Sequence, residues 1–82
     1  MVPCFDDGAI HSVAFSPDGT ALACGGGERG LTKIIETQDW KPITTLRLWG
    51  GWHIDHLAFS SDGKRLITGD ALSRVAIWDM RR

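Results

Sequence analysis

Apolar residues occur along this 82-residue chain in short runs broken by turn-forming residues, with no sustained helical period. Ile10-His11-Ser12-Val13-Ala14-Phe15 and Ala21-Leu22-Ala23-Cys24 flank Ser16-Pro17-Asp18-Gly19. Ile54 to Phe59 and Arg65 to Thr68 flank Ser60-Ser61-Asp62-Gly63 in the same way. Leu31 to Glu36 and Arg74 to Asp79, rich in Ile and Val, read as third strands. The β-branched run Pro42 to Leu48 reads as a fourth strand after the Gln38-Asp39 turn. Pro42 fits at a strand start or on an edge, where no ladder donor is missed. The expectation is an all-β chain of antiparallel strands, ordered as four and then three.

The two halves are copies. Phe15-Ser16-Pro17-Asp18-Gly19 recurs 44 residues later as Phe59-Ser60-Ser61-Asp62-Gly63. Ile10, Ala14, Leu22 and Gly25 match Ile54, Ala58, Leu66 and Gly69 at that offset. One residue is then lost in a loop, so that Ile34-Ile35-Glu36 lies against Ile77-Trp78-Asp79. The corners carry turn chemistry. Ser16 and Asp18 are small and polar, Pro17 presets φ, and Gly19 accepts φ > 0, which together join two antiparallel strands.

Four-stranded units of this length are the signature of propeller blades. On Val13 to Gly19 with Leu22-Ala23, and on Val75-Ala76-Ile77-Trp78-Asp79, the chain resembles the WD-repeat family of β-propellers over roughly residues 9–80. The resemblance implies a first repeat at 9–48 and a second at 49–82. Residues 1–8 form an N-terminal segment able to supply a closing strand to a neighbouring blade. The copies also depart from the family. His53 is displaced from the usual Gly-His place toward the strand. Leu72 stands where the family puts an Asp before the third strand, and Glu28 lies near that place in the first copy. Ile35-Glu36 replaces the Trp-Asp ending in the first copy. These departures imply an incomplete buried hydrogen-bond network. Two blades alone also leave two apolar faces open. Either copies close a ring as a homo-oligomer, or the chain is a piece of a longer propeller.

Composition adds mainly exclusions. Ten acidic and nine basic residues give a net charge of −1, which offers no field for nucleic acid or an anionic membrane. No apolar run has the length of a membrane helix, and Met1 to Ile10 lacks the basic start of a signal peptide, so a cytoplasmic location is expected. Cys4 and Cys24 read as free thiols.

Chemistry-bearing motifs are sparse. Gly25 to Gly30 spells G-x-G-x-x-G, but strand-like Leu31 to Ile35 follows where a nucleotide site needs a helix, so it reads as a hairpin loop. No serine lies in G-x-S-x-G. His53 and His56 face opposite sides of a strand. Asp55 shares a face with His53, but two ligands do not make a metal site. No catalytic residue, metal or cofactor is assigned, and the expectation is a non-enzyme.

The resemblance implies a protein-interaction module that displays loops on a rigid frame. Trp49, Trp52, His53, Glu28, Arg29, Leu72 and Arg74 are its top-face candidates, and its partners are other proteins, with neither nucleic acid nor membrane. Trp49 and Trp52 on the Gly50-Gly51 hinge either form an exposed aromatic anchor or fold back onto the sheets. The competing reading is a fragment or subunit of a propeller-containing enzyme such as a hydrolase.

Overall fold

The computed structural model describes residues 10–26, 30–47 and 52–80. Its strands are β1 (Ile10–Phe15), β2 (Ala21–Gly26), β3 (Leu31–Glu36), β4 (Pro42–Arg47), β5 (Ile54–Phe59), β6 (Arg65–Asp70) and β7 (Val75–Asp79). They form two antiparallel meanders, β1-β2-β3-β4 and β5-β6-β7. The expected order of four strands and then three is therefore found. β2 and β6 run two residues further than the apolar runs that mark them, because Gly25 and Gly26, and Gly69 and Asp70, continue the ladders.

The two corners are built identically. Gly19 and Gly63 have φ of 76° and 73°, the left-handed conformation that glycine adopts without steric cost. The Gly19 amide donates to the Ser16 carbonyl at 2.9 Å, and the Ser16 amide to the Ala21 carbonyl at 2.8 Å. Asp18 accepts from the Ser16 hydroxyl at 2.7 Å and from the Thr20 amide at 3.0 Å. Asp62 repeats this with the Ser60 hydroxyl at 2.6 Å and the Lys64 amide at 2.9 Å. The Thr20 amide, with the Ser16 and Thr20 hydroxyls, draws the Asp18 carboxyl down to about 2. The Ser60 hydroxyl and then the Lys64 amide lower that of Asp62. Ser61 in place of Pro17 leaves the turn unchanged, because the Asp and Gly that define it are kept.

The sheets meet along β5, against which β1 and β2 pack. Ala21, Ala23 and Ile34 of the first sheet and Leu66 of the second form one buried cluster, joined by Leu46, Leu57, Phe59, Trp78 and Met80. Leu66 and Ile54 are fully buried; each such side chain contributes about 1.5–3 kcal/mol. Small residues on β2 let the sheets approach. Gly25 lies against the Ile54 side chain, and the Ser12 hydroxyl bridges the sheets by donating to the Ile54 carbonyl at 2.9 Å.

The outer face of the second sheet is open. Ile34 and Ile77 occupy the same place in the two copies, yet Ile34 is 1% exposed and Ile77 is 67%. Ile67 and Val75 share this uncovered face with Ile77. The difference lies in the neighbour: β5–β7 cover this face of the first sheet, and nothing among the described residues covers the outer face of β5–β7.

The free-thiol expectation for the cysteines is corrected at Cys24, which is disulfide-bonded and fully buried. An apolar position in a buried strand suits a cystine as well as a thiol, so burial pattern alone does not separate them. Cys4 lies outside the described residues, as does the rest of the 1–8 segment expected to supply a closing strand.

Candidate interaction surface

One end of the second sheet carries a dense set of polar contacts. The β6–β7 turn is organised by Asp70, which is 4% exposed. Its carboxylate accepts from the Leu72 and Arg74 amides, each at 3.0 Å, and from the Arg74 guanidinium at 2.7 and 2.6 Å. Burial opposes the charge on Asp70, but the Arg74 amide, the Arg74 side chain and the Leu72 amide outweigh it, and the carboxyl is held below its ordinary value. Leu72 lies in this turn and offers it only its backbone amide. Asp70, two positions earlier, supplies the carboxylate that holds the turn.

The Trp78 indole N–H donates to the Thr68 hydroxyl at 3.0 Å, and Thr68 is 1% exposed. Among the described residues every buried side-chain nitrogen and oxygen has a partner. The Trp78–Thr68 bond is the part of the expected buried network that the second sheet holds.

This end also gathers part of the predicted surface. The Ala71 amide donates to the His53 carbonyl at 3.1 Å, tying the segment before β5 to the β6–β7 turn. Trp52 and Leu72 are 45% and 51% exposed there. Trp52 thus stands among the exposed large apolar side chains. The Arg74 side chain is partly exposed while its guanidinium is held by Asp70. Glu28, Arg29 and Trp49 lie outside the described residues. Trp40 sits at the other end, 46% exposed with φ of 60°, at the turn into β4.

A grouping the sequence left incomplete lies where the sheets join. His53 Nε2 is 3.1 Å from Asp55 Oδ1, as expected for residues two apart on one face. The third member, His11, comes from the first repeat. Its Nδ1 lies 3.9 Å from Asp55 Oδ1, and its ring stacks on that of His53 with centroids 4.4 Å apart and planes 17° from parallel. His11 and Asp55 are repeat-equivalent, 44 residues apart, and each sits where its strand pairing shifts register, between Ile10 and Ser12 and between Ile54 and His56. Such bulges re-aim side chains. His56 instead lies against Gly69 on the open face.

The WD domain, G-beta repeat family profile matches residues 3–34 and 40–79. The chain belongs to the WD-repeat family. It is 37% identical over 73 residues to the intraflagellar transport protein 122 homolog of Xenopus tropicalis, covering 85% of this chain and 6% of that protein. It is 30% identical over 76 residues to the U3 small nucleolar RNA-associated protein 18 homolog of Arabidopsis thaliana, covering 93% of this chain and 13% of that protein. A crystal structure of the Cps50 (Swd1) β-propeller domain of Myceliophteria thermophila superimposes with a TM-score of 0.81 at 25% identity, over 93% of this chain and 23% of that one. The WD-repeat chain therefore corresponds to an open part of a propeller and spans a small share of the relatives it matches. These matches support the scaffold reading and not the hydrolase one.

Proposed function

We propose that this WD-repeat chain is part of a protein-interaction scaffold, with Trp52 and Leu72 as contact residues at the His53 end of the second sheet. The observation that carries this is the exposure of two large apolar side chains on segments held by backbone and Asp70 hydrogen bonds. Ordering a flexible loop on binding opposes affinity, and a pre-held segment avoids that cost. An aromatic flanked by polar groups is a common anchor of protein interfaces.

The uncovered face around Ile67, Val75 and Ile77 supports a second element of the proposal: another WD blade packs there, supplied by a longer chain or by another copy closing a ring. The contrast between Ile34 and Ile77 is the reason, since the first copy shows what covers this position.

Quantitative affinity purification from cells, comparing the protein with its Trp52→Ala and Leu72→Ala variants, tests the contact residues. Both variants keep the far-UV circular dichroism of the parent and lose the same specific partners. Unchanged recovery of every partner overturns the assignment. Light scattering after size exclusion tests the second element. A ring gives a closed multiple of the chain mass that Ile77→Glu breaks, whereas a stable monomer indifferent to Ile77→Glu shows that the face needs no cover.

A further inference from the structure

The His11, His53 and Asp55 side chains bring two imidazoles and one carboxylate to a single point on the seam between repeats. Their ligand atoms all lie within 4.8 Å of one another. We propose that they form a binding site for a divalent transition-metal ion of the zinc class. Two nitrogen donors and one oxygen donor suit Zn²⁺, with water completing four-coordination. A site with two imidazoles and only one carboxylate is poor for Ca²⁺ or Mg²⁺, which require many oxygen ligands.

The geometry is near what coordination needs. Donor atoms of a tetrahedral zinc site stand about 3.3 Å apart, given bonds of about 2.0–2.1 Å. The His53–Asp55 separation of 3.1 Å already meets this, and His11 at 3.9 Å is slightly wide. Binding asks the two stacked rings to fan apart so that their nitrogens converge. The side chains are 36–38% exposed, so the rings have room to move. Their backbones are fixed. His11 and Asp55 sit on strands of the two sheets, and the Ser12 hydroxyl bond to the Ile54 carbonyl ties the adjacent residues together. The bulges at His11 and Asp55 turn repeat-equivalent residues toward one another, so the site exists only where two successive blades meet. A bound ion therefore clamps β1 to β5.

The test uses the tag-free full chain titrated with Zn²⁺ and, as a spectroscopic probe, Co²⁺. The expected result is one equivalent bound, a Co²⁺ visible spectrum of low coordination number, and a higher unfolding temperature with Zn²⁺. Loss of supporting groups around a metal costs about 10–100-fold in affinity, so His11→Ala, His53→Ala and Asp55→Asn should each weaken binding by at least about tenfold. His56→Ala, on the other face, should leave affinity unchanged. Imidazole NMR signals of the unaltered chain provide a reading that needs no variant: Zn²⁺ shifts those of His11 and His53 and spares His56. Absence of stoichiometric binding, binding indifferent to both His11→Ala and His53→Ala, or a shift of the His56 signals in their place overturns the proposal.

Discussion

Gly25 and Gly69 occupy the same position in the two repeats, and their replacement by alanine should have opposite effects. A Cβ at Gly25 would collide with the Ser12 hydroxyl and lie 2.9 Å from Cγ2 and 3.0 Å from Cβ of Ile54. Ile54 is fully buried and cannot yield. Overpacking of this kind costs about 1–3 kcal/mol. If Ser12 rotates away, its bond to the Ile54 carbonyl is lost as well, about 0.5–1.5 kcal/mol. Alanine returns about 0.5–1 kcal/mol through its lower unfolded-state entropy. Gly25→Ala should therefore destabilise by about 2 kcal/mol, lowering the midpoint by about 8–16 °C for a domain of this size. A Cβ at Gly69 meets nothing nearer than His56 Cβ at 3.5 Å, an ordinary contact. Gly69→Ala should keep only the entropic gain and stabilise by about 0.5–1 kcal/mol. Urea unfolding followed by tryptophan fluorescence and circular dichroism measures both. Ser12→Ala in the Gly25→Ala background removes one clashing atom and should recover part of the loss, giving a coupling above about 0.5 kcal/mol. Equal effects of the two glycine substitutions would refute the reasoning, because the asymmetry follows only from one sheet face being covered and the other open.

Trp78→Phe keeps an aromatic ring of smaller size but leaves the buried Thr68 hydroxyl without its indole donor, and should cost about 1–3 kcal/mol by the same unfolding assay; adding Thr68→Val should return part of it. Ser73 has φ of 63°, a left-handed conformation that costs a non-glycine residue about 1–2 kcal/mol, so Ser73→Gly should raise the melting temperature by several degrees despite the added chain entropy. The Asp18, Asp62 and Asp70 carboxyls are all held below their ordinary value, Asp18 at about 2. Their contribution is complete above the unfolded carboxylate pKa of about 4 and is lost as pH falls through the folded values. Circular dichroism melts taken stepwise down from neutral pH should therefore show a stability plateau ending near that value and falling toward about pH 2; stability that rises on acidification would contradict the assigned hydrogen bonds.

The parts of this fold that are legible in the sequence are those fixed by local chemistry. Phe15 to Gly19 and Phe59 to Gly63 specify their corners because Asp and Gly act within five residues, and the strand order follows from those corners. Features made by residues distant along the chain escape such a reading. Leu72 gave no sign of the carboxylate that holds its turn, which Asp70 supplies from two positions earlier, since a turn needs a carboxylate within reach and not at one fixed place. Cys24 looked like a small apolar strand residue, and a cystine occupies that environment equally well. His53 and Asp55 were visible as a pair, while His11 was hidden because its approach depends on two bulges and on the seam between sheets. The repeat held the missing clue: a 44-residue offset places His11 over Asp55. Where two successive blades pack, equivalent positions near their first strands become neighbours. A donor at such a position in one copy and an acceptor in the next then form a contact that neither repeat holds by itself. Aligning repeats to find unlike residues at equivalent positions is thus a physical search for sites on the seam, complementary to aligning them for the shared residues that define the blade.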